Sequence, residues 1–286
     1  MESLPDLIKS LLISTLLLLL LLPVLVMPHD HAENNVNPMW KGHRSSALVH
    51  EHHKPHFAPG PWKEAHATFY GGSDGSETTE GACGYEVVKH GYGLETAALS
   101  QVLFKEGETC GACYEIKCVN SEQWCKPGQP SLIVTATNVC PPNFNLPSDN
   151  GGWCNPPREH FDLPQPAFLK IAEHKGGIVP IHYRRVSCNK QGGIKFTVEG
   201  NPYFVTVMVT NVGGAGDVTH LQVKGDEGQW TDMKRDWGQK WQTNASLVGQ
   251  TLSFRVQTSD GMTSTSWNIA PKNWQFGQTF EGKNFH

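Results

Sequence analysis

Residues 194–212 read IKFTVEGNPYFVTVMVTNV, two runs in which apolar and polar side chains alternate about a break at Gly200-Asn201-Pro202. Alternation of this period is the mark of a half-buried strand. Val205, Val207 and Val209 share one parity and belong in a core, while Phe204, Thr206, Met208 and Thr210 face the other way. VTHLQVKG (218–225) and LSFRVQTSDG (252–261) repeat the pattern, with turn residues between them. Short strands spaced like this predict a small antiparallel sandwich over residues 191–286.

Upstream the texture changes. The span 62–190 holds all eight cysteines and is dense in glycine and proline. Across the 286 residues there are 29 Gly and 19 Pro against only 17 % charged side chains, which argues for short strands and many turns rather than long charged helices. A 38 % hydrophobic content supports a real core. The formal net charge of −4 lacks the basic surplus that sequence-independent nucleic-acid binding needs. One short helix is predicted over Pro166–Lys175, with proline at its start and Gly176-Gly177 at its end.

At the N-terminus, residues 11–26 (LLISTLLLLLLLPVLV) form an apolar run interrupted by Pro23 and shorter than the roughly 20 residues a spanning helix needs. We read residues 1–27 as a signal peptide, although Glu2 and Asp6 outweigh Lys9 before it; the alternative is an uncleaved anchor. Residues 28–61 carry His29, His31, His43, His50, His52, His53 and His56 without apolar periodicity, and read as a disordered leader. Behind a signal sequence, an even number of cysteines reads as a disulfide framework. Cys110-Gly-Ala-Cys113 lacks the second ligand pair of a zinc site and the βαβ setting of a redox pair. No metal and no cofactor are expected.

Several motifs occur in one order: HATFYGG (66–72), GACGY (81–85), CGACYEIKC (110–118), GGWCNPPREHFDL (151–163) and NVGGAGDV (211–218). Together they resemble the plant expansins, and within them the α branch, from Trp62 to the C-terminus. The resemblance implies an all-β protein: a six-stranded double-psi β-barrel similar to family-45 endoglucanases, then an immunoglobulin-like cellulose-binding sandwich. It implies the pairs Cys83–Cys110, Cys113–Cys188, Cys118–Cys125 and Cys140–Cys154. It also implies a secreted, monomeric cell-wall protein whose partners are cellulose and matrix glucans such as xyloglucan, with peripheral association at the wall or membrane, and wall loosening without hydrolysis at acid pH.

Mechanism is read against the related glucanases. An inverting glycosidase needs two carboxyl groups roughly 6.5–9.5 Å apart, an acid and a base. By resemblance Asp162 of the His160-Phe161-Asp162 segment stands at the acid position, while Gly72 stands where the base would be. Asp74 is the nearest acidic neighbour and is not expected to replace it. Bacterial relatives have an Asp at the position of Asn138. The expectation is a groove of Thr68, Tyr70, Asn138, His160 and Asp162, with Trp153 as a stacking wall, that holds glucan without cutting it. Asp162, beside Phe161, is expected to titrate above about 3.9. The alternatives are a weak glucanase or transglycosylase using Asp162, and a plain carbohydrate-binding module.

In the second domain, Tyr203, Phe204 and Trp237 are expected to form the cellulose platform, with Trp230, Trp241 and Trp274 in the core. Gly213-Gly214-Ala215-Gly216-Asp217 reads as a turn, since no Lys-Ser/Thr follows to make a phosphate loop. Asn244-Ala245-Ser246 is a glycosylation sequon.

Overall fold

The computed structural model describes residues 57–285 apart from residues 88 and 227; the segments expected to form a signal peptide and nearly all of a His-rich leader lie outside the described residues. Six strands close into a barrel: β1 (Lys63–Tyr70), β2 (Thr96–Leu99), β3 (Cys113–Cys118), β4 (Ser131–Val139), β5 (His160–Pro164) and β6 (Val179–Val186), in the order β1-β5-β2-β4-β3-β6. β1 runs parallel to β5, and β2 to β4, and the remaining pairs are antiparallel. This is the double-psi arrangement. Strand alternation sends Ala65 and Ala67 of β1 inward, onto a core that includes Ile116, Phe161, Leu163, Phe168 and Ile181.

Two short α-helices interrupt the barrel strands, α1 (Gln101–Phe104) and α2 (Gln165–Phe168). The second is shorter than the predicted Pro166–Lys175. Pro166 starts it as expected, but Ile171 and Glu173 pair through their backbones with Lys126 and Trp124. That pairing, beside the Cys118–Cys125 bridge, draws the chain out of the helix so that Phe168, Ile171 and Ala172 all reach the core. The chain closes with a 3₁₀ turn at His174–Gly176. All four disulfides have the pairing the resemblance implies.

The remaining strands are β7 (Lys195–Asn201), β8 (Phe204–Thr210), β9 (Val218–Lys224), β10 (Thr231–Trp237), β11 (Lys240–Thr243), β12 (Leu252–Thr258), β13 (Thr263–Ala270) and β14 (Thr279–Glu281). They join in the order β13-β12-β9-β10-β11-β8-β7-β14, entirely antiparallel. The first half of β10 pairs with β9 and its second half with β11. β10 therefore crosses between two layers, β14-β7-β8-β11 and β10-β9-β12-β13, whose inner faces meet at the stacked Phe196 and Phe254 rings, 4.6 Å apart.

Val205, Val207 and Val209 are buried in that core as their parity predicts. The opposite parity is not solvated along its length: Thr206, Met208 and Thr210 are buried as well, and Met208 joins the core of the barrel. The barrel covers this end of the face. Gly84 leaves room for Met208, since a Cβ there would lie 2.7 Å from the methionine methyl. The same junction holds the Arg185–Asp217 ion pair at 2.8 Å and a hydrogen bond from Gln239 to the Cys110 carbonyl at 2.9 Å. The Gly213–Asp217 turn packs here too, with Gly216 against the backbone of Gly111.

Trp241 and Trp274 are buried as expected, but Trp230 is not a core residue. It stands half-exposed just before β10, beside Trp267, because the inner face of this sheet is already filled by Leu221, Val223, Phe254 and Val256.

Candidate functional site

The parallel pairing of β1 with β5 sets Thr68 opposite Asp162 and His66 opposite His160. On β1 the residues of one parity, His66, Thr68 and Tyr70, line the open side of the barrel. Thr68 Oγ1 donates to Asp162 Oδ1 at 2.7 Å and lies 2.7 Å from His160 Nε2. A hydroxyl has one proton, so with Thr68 donating to Asp162 it is His160 Nε2–H that donates to Thr68. That tautomer leaves His160 Nδ1 a bare lone pair, and it is the ring atom without a partner.

His160 differs from its expected role. The residue is fully buried, so it cannot touch a glucan in the groove. Burial and the nearby His66 and Arg158 push its imidazole from 6.5 down to about 3, keeping it neutral. It acts from beneath, holding Thr68 against Asp162, while its own backbone N–H donates to Ser100 Oγ at 3.1 Å. Asp162 is partly open, and burial pushes its carboxyl from 3.8 up to about 6, against the opposing pull of the Thr68 hydrogen bond.

Tyr70 and Asn138 stand side by side along the same wall, and burial raises the Tyr70 phenol above its ordinary value. Asn138 Oδ1 accepts the Ala82 and Val139 backbone N–H groups at 2.8 and 2.9 Å. Trp153 lies in the loop between β4 and β5, half-buried, with the Arg158 guanidinium 5.7 Å from its ring. Among the described residues, no hydrogen bond or ring contact ties it to the Thr68–Asp162 pair.

Gly72 has no carboxyl, but the space its side chain would enter is not empty. A Cβ on Gly72 would lie 3.2 Å from Asp74 Oδ1. Asp74 is solvent-exposed, and the Ser76 backbone N–H donates to it at 3.0 Å, holding it below the usual carboxylate range.

On the sandwich, Tyr203, Phe204 and Trp237 are 87 %, 39 % and 49 % exposed, unlike the buried Trp241. Trp237 pairs with Lys240 and Lys240 with Met208, four residues from Phe204 along β8. That register separates Phe204 from Trp237 by about 13 Å along the strands and about 10 Å across them, a span of several pyranose rings. Between them the Lys240–Glu199 ion pair bridges the strand at 2.9 Å. Trp237 Nε1–H donates to the Ala82 carbonyl, and Phe104 lies 6.1 Å from its ring. Asn244 is exposed on its loop.

Ala82 was not among the expected residues. Its N–H meets Asn138 in the groove and its carbonyl meets Trp237 on the platform, so one peptide segment joins the two surfaces. The signal for it was Gly81: a Cβ there would stand 2.2 Å from the Thr137 carbonyl, so only glycine lets the loop lie this close to β4.

Fold and site define a two-part β protein, a double-psi barrel with an open polar groove fastened to an aromatic-faced sandwich. Residues 194–271 match the model of the expansin C-terminal domain, and residues 96–183 match one described as lytic transglycolase. Expansin-A32 of Oryza sativa subsp. japonica is 59 % identical over 248 residues, spanning 86 % of this chain and 92 % of the relative. Expansin-A23 of Arabidopsis thaliana is 58 % identical, over 78 % of this chain and 80 % of its own. The chain belongs to the expansin family. The crystal structure of apo Clavibacter michiganensis expansin shares the fold, with a TM-score of 0.60 and 17 % identity over 78 % of this chain and 97 % of that one. A mutant of that bacterial protein, solved in complex with cellohexaose, aligns with a TM-score of 0.58 and 16 % identity over 77 % of this chain and 96 % of its own.

Proposed function

We propose that the protein is secreted to the plant cell wall and loosens it by disrupting noncovalent contacts between cellulose and matrix glucans such as xyloglucan, without cutting either. The barrel, residues 62–190, holds a glucan chain in the groove through Thr68, Tyr70, Asn138 and Asp162. The sandwich, residues 191–286, stacks on cellulose through Tyr203, Phe204 and Trp237. The observation that carries this reading is the groove's one partly buried carboxyl, Asp162; by the resemblance, Gly72 stands where a second would be. Proton donation to a leaving oxygen has no matching base to activate water. Below about pH 6 Asp162 is protonated and turns from acceptor to donor, which supports acid-favoured loosening. The cellohexaose-bound bacterial neighbour and the expansin C-terminal domain match support glucan as the ligand class.

A second reading, a weak glucanase or transglycosylase, has one observation in its favour. Asp74 reaches the space beside Gly72, and Asp162 and Asp74 are displaced in opposite directions, the pattern expected of an acid and a base. Against it, Asp74 is fully exposed and its carboxylate is engaged by the turn at Ser76. The test is extension of a heat-inactivated wall strip under constant load, at acid and at neutral pH, with released reducing sugar assayed alongside. Creep at acid pH without sugar supports the non-hydrolytic reading. Sugar release abolished by Asp74→Asn and by Asp162→Asn establishes the enzyme. Neither creep nor sugar refutes both.

A further inference from the structure

The two layers of the sandwich turn their inner faces to a shared core, so their outer faces look in opposite directions. Phe204 lies on the outer face of one layer. The outer face of the other, β10-β9-β12-β13, carries a second aromatic surface. Trp267 of β13 is 59 % exposed and takes no part in the core. Trp230 meets it at 5.3 Å, with ring planes 60° apart. The Arg255 guanidinium lies 4.2 Å from the Trp230 ring and also donates to Gln222 Oε1 at 3.3 Å and Thr265 Oγ1 at 3.4 Å. These bonds hold Arg255 in one place beside the tryptophan pair.

Trp267 also walls a cleft of about 860 Å³ that Lys190, Asp260, Met262, Lys283 and Phe285 help to line. Among the described residues, none of Lys190, Lys283 and Arg255 has a carboxylate partner. Asp260, the acid of the cleft lining, is already engaged by the Thr258 hydroxyl at 2.7 Å and the Met262 N–H at 3.1 Å. Lys190 lines the cleft, but its ammonium is turned to the barrel, where it donates to Thr135 Oγ1 at 3.2 Å and lies 4.7 Å from the Tyr92 ring, leaving Lys283 as the exposed cation of the cleft lining. An exposed tryptophan with Lys283 in the same cleft and the Arg255 guanidinium on its neighbour Trp230 fits a sugar ring that carries a carboxylate.

We propose that the Trp267 cleft, at the β13 edge of the sandwich, is a second polysaccharide site, selective for a uronate-bearing chain and separate from the Phe204 surface. The protein then stands between two polymers, a neutral glucan on one side and an acidic polysaccharide on the other. The site is independent of the groove, so its failure leaves the wall-loosening reading untouched.

The test is native electrophoresis of the full secreted chain at pH 6 through gels containing polygalacturonate or its fully methyl-esterified, uncharged form. The apparent Kd for polygalacturonate is expected to be lower by about tenfold or more, which is about 1.4 kcal/mol. The double variant Trp267→Ala, Lys283→Gln alters two exposed side chains outside the core and is expected to lose that preference. It still sediments with cellulose, whereas a Phe204→Ala, Trp237→Ala protein is still retarded by polygalacturonate. Equal retardation in both gels, no retardation in either, or wild-type retardation of the double variant overturns the proposal. So does a concentration-dependent dimer that Trp267→Ala abolishes, which would make this face a contact between copies.

Discussion

Asp162→Asn replaces a carboxyl whose ordinary value of 3.8 is pushed up to about 6, chiefly by burial. A group whose folded pKa is raised contributes its stability fully below the unfolded value, and loses it as pH rises through the folded one. The loss therefore falls between about pH 4 and pH 6. It amounts to about 3 kcal/mol from the displacement alone, and nearer 2 once water on the open side of the groove is allowed for. His160 works the other way: its imidazole is pushed from 6.5 down to about 3, so its contribution is present above about pH 6.5 and lost as pH falls. The two slopes oppose each other through the acid range, and the wild-type curve alone hides both. The assay is urea unfolding of the wild type and the Asp162→Asn protein from about pH 4 to pH 7, read as the difference between them at each pH. The variant is expected to gain about 2–3 kcal/mol relative to the wild type across that range, with no further change above it. A difference constant to within about 0.5 kcal/mol would show that Asp162 titrates normally, and the groove would lose its acid response.

Thr68→Val removes the hydrogen bond that lowers the Asp162 pKa. The Asp162 titration, followed by carboxyl NMR, is expected to move up by about one pH unit, and a downward move would contradict the relay. A Phe204→Ala, Trp237→Ala protein should lose most sedimentation with cellulose, with a melting temperature lowered only modestly by loss of the Trp237–Ala82 hydrogen bond. Gly81→Ala forces a methyl to within 2.2 Å of the Thr137 carbonyl, and thermal unfolding should show a loss of about 2 kcal/mol. Joint replacement of Cys140 and Cys154 by Ser opens a loop of 14-residue separation and should cost about 3 kcal/mol in thermal or urea unfolding.

What could be read from the chain follows from which forces are local. Alternation in IKFTVEG and YFVTVMVT identifies strands and their inner faces, because the period of a strand is a property of the backbone. The burial of Met208 and Thr206 was not legible in that way. It depends on a barrel loop arriving from residues 81–92, and parity cannot tell a solvated face from one covered by another domain. The helix over 166–175 failed for a related reason: its start is set by Pro166, but its end is set by backbone pairing with Trp124 and Lys126, distant in sequence. Asp162, Thr68, Tyr70 and Asn138 are groove candidates through motif resemblance alone, and the register of β1 against β5 brings the first two together. His160 was placed one layer too far out. Being two residues from Asp162 it shares the same face of the strand, yet Thr68 stands between it and the carboxylate.

Ala82 gives the groove and the platform a common mechanical element. Asn138 holds its N–H and Trp237 holds its carbonyl, so a shift of that segment is felt at both surfaces. The segment is restrained from both sides: Cys83 next to it is bonded to Cys110, and the Gly238 backbone lies against the Cys83 carbonyl. A loop so fastened transmits displacement rather than absorbing it. On the proposed function, a cellulose surface seated on Trp237 and a glucan chain lying over Asn138 would therefore be held at a fixed offset. Thermal motion of one polymer relative to the other would load their mutual contacts before it loaded the protein. Loosening on this view needs no bond cleavage, only two surfaces that cannot move independently. Lengthening the loop by inserting two glycines after Gly81 should leave cellulose sedimentation and the Asp162 titration in place while reducing creep. Undiminished creep would separate groove from platform and refute the coupling.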